Sequence, residues 1–191
     1  MKKLALIISV VFDPIILLPI LYALVVISPR TEWPSLAVTV ALAFLYLIFP
    51  FAAFLWLLKT KRIKDWWMTR RDDRYLIYFI VLFFHLTGVI VAWWQGYPLL
   101  SQALLVFWLI TLVLTLANFV TKVSLHAAVS AGLAALLNNW YGWERWWWAW
   151  LIVIAVIWSR RALGKHTLWQ GIIAVILTLF VYFALLGIIF P

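Results

Sequence analysis

The 191-residue chain has no cysteine, only six acidic residues and three histidines. The first absence excludes disulfides, thiolate zinc sites, iron–sulfur clusters and cysteine nucleophiles, and so few carboxylates and imidazoles leave little for a metal cage. We therefore expect neither a metal nor another cofactor, and any chemistry must fall to histidine, hydroxyl or cationic groups. Charge is scarce as well: 11% of residues are charged against 68% hydrophobic, with a mean hydropathy of +1.10. That composition cannot clothe a soluble globule in polar surface, so a water-soluble domain is excluded. Nothing resembles a motif that reads DNA or RNA, so no nucleic-acid partner is expected. Linkers, internal repeats and low-complexity segments are also missing, and one membrane-embedded domain over 1–191 is expected.

What the sequence does hold is a series of apolar runs. A helix needs roughly 20 apolar residues to cross a bilayer, and windows near 4–27, 35–58, 75–94 and 98–121 qualify. Two shorter stretches, 125–139 and 145–158, and a last run near 170–190 follow. The pattern predicts an all-α fold, a polytopic integral membrane bundle of six or seven transmembrane helices. Met1-Lys2-Lys3 ahead of an apolar run has the look of a signal peptide, but the run exceeds the usual apolar region and lacks a small-residue cleavage site, so it is read as the first helix. Most of the fifteen Trp residues sit at predicted span ends, where amphipathic rings suit headgroup depth. The dense group Trp146, Trp147, Trp148 and Trp150 is read in the same way.

The fifteen cations against six acids give a net charge of +9. With seven spans, the N-terminus and the loops at 59–74, 121–125 and 159–168 share one side and carry every cation except Arg30 and Arg145. The positive-inside rule makes that side cytoplasmic, with the plasma (inner) membrane as the expected location. Such an excess of positive charge also suits membrane lipids with anionic headgroups, or an anionic substrate, as partners.

Three polar clusters fall on this basic side. The first is the loop from Lys61 to Arg74, which includes Lys64 and Arg71; taken alone it is a solvated interfacial loop, taken with the others a phosphate clamp. The second runs Thr121-Lys122-Val123-Ser124-Leu125-His126 into a small-residue run. Ser124 is a good N-cap, so the free N–H groups and positive dipole end of the following helix face any anion there, with His126 in the first turn. An isolated histidine in that place is ordinarily a structural hydrogen bonder, and small residues have a packing explanation in membrane helices. The third runs from Ser159-Arg160 through His166-Thr167 to Gln170, and Thr167 with Gln170 has the T-x-x-Q spacing of a capping box. Each cluster has a bland explanation by itself, but their order, internal spacing and shared side together favour a site.

Lys64-x6-Arg71, Ser124-x-His126 and Ser159-Arg160-x5-His166 resemble the three-part signature of the type 2 phosphatidic acid phosphatase (PAP2) superfamily, written KxxxxxxRP, PSGH and SRxxxxxHxxxD. The resemblance covers Lys64 to Gln170, with the third motif the most specific. It implies a PAP2-like helical core and metal-free hydrolysis of a lipid phosphate or diphosphate through a phosphohistidine. Phosphatidic acid, phosphatidylglycerol phosphate or an isoprenoid diphosphate would be the substrate. Carried over by position, it implies that His166 attacks phosphorus and His126 donates a proton to the leaving oxygen. Lys64, Arg71 and Arg160 would hold the phosphoryl oxygens, assisted by Ser124 and the backbone N–H of Leu125. Phosphoryl transfer asks mainly for positioning and charge stabilisation, which cations and helix starts supply.

Three positions depart from the signature. Leu125 replaces a glycine, Asp72 replaces a proline, and Gln170 stands where the family has the aspartate that orients the nucleophilic histidine. In serine proteases the comparable neutral swap costs on the order of 10⁴ in kcat. Gln170 can still accept from His166 Nδ1–H, so orientation survives while charge stabilisation is lost. These departures keep open an alternative, a catalytically weakened relative that binds or moves anionic lipids without hydrolysis. Asp13 and His85, inside the first and third spans, have no place in the PAP2 scheme and are read as structural.

Overall fold

Where lipid replaces water, each backbone N–H and C=O must find its partner within the chain, and long apolar runs do so by forming helices. In the computed structural model every element among the described residues is helical. The structure describes residues 1–66, 68, 70 and 72–189, the last four of these by their backbone alone. Ten α-helices follow in order: α1 (Lys2–Val11), α2 (Pro14–Val26), α3 (Leu36–Ala43), α4 (Phe49–Lys59), α5 (Asp73–Trp94), α6 (Pro98–Val120), α7 (Leu125–Tyr141), α8 (Trp143–Trp146), α9 (Ala149–Ala162) and α10 (Leu168–Ile189).

Five stretches are long and apolar enough to cross a membrane: Lys2–Val26, Leu36–Lys59, Asp73–Trp94, Pro98–Val120 and Leu168–Leu185. They match the five longer windows of the sequence and are compatible with an integral membrane protein. The two remaining windows form α7 and α9, of 17 and 14 residues. At 1.5 Å per residue these reach about 25 and 21 Å, short of a hydrocarbon core about 30 Å thick.

The chain divides into two compact units, Met1–Leu21 with Leu116–Pro191, and Tyr22–Thr115. In the first, α7 packs on α9 and α10, and α1 packs on α9. Its small residues Ala127, Ala128, Ala131, Gly132, Ala134 and Ala135 are all buried, which fits close helix approach. The first window is not one helix but two. Pro14 starts α2, and the break at Phe12–Asp13 is closed by Asp13, whose carbonyl accepts from Ile16 and Leu17 and whose Oδ1 accepts from Ile15 N at 2.9 Å.

In the second unit the helix over 36–59 is interrupted by a π-helical turn, Phe44–Ile48, just before Pro50. Proline has no N–H, so the carbonyl four residues back, that of Tyr46, loses its helical donor. His85 of α5 replaces that donor, with Nε2 3.3 Å from Tyr46 O. The Tyr46 hydroxyl donates back to His85 O at 2.9 Å, and the two rings stack at 4.3 Å. At the start of α6, the Glu32 carboxylate accepts from Leu99 N and Leu100 N at 3.0 and 2.9 Å, satisfying donors that a helix leaves open.

Candidate active site

Two helix starts and one helix end build the site in the first unit. Ser124 caps α7, its Oγ accepting from Ala127 N at 3.4 Å, and is itself buried. Leu125 is the first residue of α7 and His126 the second, so the His126 ring lies in the first turn. Thr167 and Gln170 form the expected capping box at α10: Thr167 N donates to Gln170 Oε1 at 3.1 Å, and Gln170 N donates to Thr167 Oγ1 at 3.3 Å. A backbone bond from Ser124 N to Gln170 O, 3.4 Å, ties the two starts together.

The turn that brings His166 to this place is set by the end of α9. Gly164 has φ +66°, the left-handed region in which glycine is at no disadvantage. Its N–H donates to Arg161 O at 2.9 Å, and Lys165 N–H donates to Arg160 O at 3.0 Å. This is a Schellman ending, and it reverses the chain within three residues. His166 N–H also reaches Arg160 O, at 3.3 Å, so the histidine is held by the backbone of an arginine in the last turn of α9.

His166 is 8% exposed, and its Nδ1 lies 3.3 Å from Gln170 Oε1. The capping box determines what this contact means. Thr167 N–H can only donate, so the Gln170 atom facing it is the oxygen, and an amide oxygen facing His166 can only accept. Nδ1 of His166 therefore carries hydrogen, and in the neutral ring the lone pair is on Nε2. That is the tautomer a nucleophilic Nε2 requires. Gln170 thus serves both readings of the sequence, helix cap and histidine partner, through one oxygen.

Arg160 is 3% exposed, and its Nη1 donates to Ser9 Oγ of α1 at 2.6 Å. His126, 8% exposed, has Nε2 3.3 Å from Asp13 Oδ2, again from the first span. Lys122 Nζ donates to Lys165 O at 3.1 Å, which brings a further cation to the residue before His166. Of the predicted site residues, Ser124, Leu125, His126, Arg160, His166 and Gln170 belong to this unit. Lys64 belongs to the other; it is exposed, and its backbone N–H donates to Asp73 Oδ2 at 3.4 Å. Arg71 lies outside the described residues. No group of three or more His, Asp or Glu that could hold a metal ion occurs among the described residues.

Four contributors escape the motif pattern: Ser9, Asp13, Lys122 and Gly164. Gly164 has a sequence signal, a glycine following two arginines in a last helical turn. Asp13 has one too, as an ionisable residue inside a span, although its partner does not follow from it. No protein-family model, no curated protein and no solved structure matches this chain.

Proposed function

We propose that the protein is an integral membrane phosphatase of PAP2 type, hydrolysing a lipid phosphate or diphosphate without a metal ion through a phosphohistidine at His166. One observation carries the reading. Two histidines, a buried arginine and two capped helix starts converge in one unit, with the His166 tautomer already suited to attack through Nε2. In the first step the Nε2 lone pair forms a bond to phosphorus, the bond from phosphorus to the leaving oxygen breaks, and His126 gives that oxygen a proton. In the second, water attacks phosphorus, His126 takes its proton, and the N–P bond breaks to return neutral His166. Arg160, Ser124 and the Leu125 backbone N–H at the α7 start would hold the phosphoryl oxygens, where fixed positive charge is most effective. By the resemblance in sequence, Lys64 and Arg71 of the basic loop are further phosphate ligands.

In this reading α7 and α9 count with the five longer spans, giving seven, and the basic loops face the cytoplasm across the plasma membrane. Phosphatidic acid, phosphatidylglycerol phosphate and isoprenoid diphosphates are the candidate substrates. The test is phosphate release from a panel of these lipids by purified protein in EDTA. Release from at least one is expected, and release that requires an added divalent metal, or none from any, overturns the proposal.

Gln170 itself favours a second reading. Its single oxygen is shared between Thr167 N–H and His166 Nδ1 and brings no negative charge to the ring. A lipid-binding relative without turnover would bind vesicles containing the same lipids and release nothing from them.

A further inference from the structure

The carboxylate missing beside His166 has a counterpart beside the other histidine, supplied by the N-terminal span. We propose that Asp13 is a positioning residue for His126, holding the ring by Nε2 and favouring its charged form, so that proton transfer runs through Nδ1. The pairing stands on geometry; the reaction it serves rests on the phosphatase reading above.

Four features support it. The two side chains, 10% and 13% exposed, meet at 3.3 Å between His126 Nε2 and Asp13 Oδ2. The contact is an ion pair rather than an aligned hydrogen bond, and the negative charge beside Nε2 favours hydrogen on that atom. The other oxygen, Oδ1, is fixed by Ile15 N–H at 2.9 Å, so the carboxylate is oriented by the start of α2 rather than by a mobile arm. Ser9, one turn earlier on α1, receives Arg160 Nη1, so the same span touches the cation of the site as well as its acid. Capping alone does not call for a charge here: Asn or Ser caps a helix as well as Asp, and neither incurs the cost of an ionised group within a span.

The charged groups that act on Asp13 are His126 from α7 and Arg160 from α9. Lys2 and Lys3 are the charged residues of α1, at its far end; α8, which follows the C-terminal end of α7, carries Glu144 and Arg145, and α10, packed on α7, has none. A carboxylate on Nε2 keeps His126 protonated for the first step, in which the Nδ1 proton passes to the leaving oxygen. The neutral ring that remains is a stronger base for the water proton in the second step, and Nε2 keeps its hydrogen throughout.

The closing experiment uses the full chain in detergent, with histidine labelled by nitrogen-15, in the wild type and in Asp13→Asn, which retains a capping oxygen. NMR titration follows the His126 ring, and phosphate release is followed against pH for an alkyl and an aryl phosphate. We expect the wild-type neutral ring to be the Nε2–H tautomer, and its titration midpoint to fall by about one pH unit in Asp13→Asn. The basic limb of kcat/KM should fall with it, with kcat down roughly 10- to 100-fold for the alkyl substrate. The aryl substrate, whose leaving group needs less help, should lose less. Asp13→Glu should recover part of the loss. An Nδ1–H tautomer in the wild type, or one His126 titration shared by both proteins, overturns the pairing whatever the activity. A shifted titration with an unmoved pH profile overturns the positioning role. A shifted titration in a protein that hydrolyses nothing supports the pairing and overturns the phosphatase reading alone.

Discussion

His85 and His166 are equally hidden from solvent, yet their surroundings give them opposite capacities. His85 fills a vacancy that Pro50 leaves in a helix: its Nε2 bonds the Tyr46 carbonyl, and its ring lies flat against the Tyr46 ring. Both features hold a neighbouring helix, and neither bears on a charged group. His166 uses Nδ1 for its partner and leaves Nε2 on the other side of the ring, at the junction of a helix end with a helix start. Burial by itself therefore says little about a histidine in a membrane protein. What separates the two is which nitrogen the fold occupies and whether cations and open amides stand nearby.

Substitution at the two sites should separate them most sharply. His166→Ala should lower phosphate release by more than about 10³-fold and abolish any acid-labile phosphoprotein, while leaving the thermal unfolding midpoint in detergent close to wild type. His85→Leu should do the reverse, keeping turnover per folded molecule and lowering the midpoint, because the Tyr46 carbonyl loses its donor. Equal loss of activity in both variants would erase the distinction.

A smaller effect is expected from Gly88, one turn beyond His85 on α5. A Cβ at that position would collide with Cε2 of Tyr46 and press the ring out of its stack. Gly88→Ala should destabilise by about 1–3 kcal/mol, measured by thermal unfolding, and unchanged stability would mean that the stack yields freely. The smallest expected change sharpens the His166 side. Gln170→Asp should raise kcat several-fold by stabilising the charge that develops on the ring. A carboxylate also favours the protonated ring, which cannot attack, so the acidic limb of the pH–rate profile should move to higher pH. Gln170→Glu should act in the same direction and retain the capping box. Unchanged rate and profile in both variants would leave Gln170 as a cap alone.

Local signals made much of this site legible. Ser124 and the Thr167/Gln170 pair follow from spacings of three residues, because capping involves only the first turn of a helix. The longer spans follow from apolar length. The break at Phe12–Asp13 and the π-turn before Pro50 lie within runs that hydropathy reads as continuous, since Pro14, Pro19 and Pro50 hardly alter apolar length while changing which carbonyls find donors. The pairs His126 with Asp13 and Arg160 with Ser9 could not be read. The second joins residues 151 apart, and no periodicity along one helix specifies its partner on another. His85 was legible as a bonder of a neighbouring helix but not in its acceptor, which depends on a proline elsewhere.

The position of Asp13 also has a consequence for how the protein is made. A ribosome adding 5–20 residues per second needs on the order of ten seconds to travel from Ser9 to Arg160, 151 residues later. Until His126 and then Arg160 are made, the span Lys2–Val26 holds a carboxylate and a hydroxyl whose partners on other helices do not yet exist, and an ionised residue within a span is costly to hold in lipid. Ser9 is thus made long before the arginine that it receives. Its unit closes only when α9 and α10 have been delivered, so that the segment Met1–Leu21 is committed to its place by helices made more than a hundred residues later.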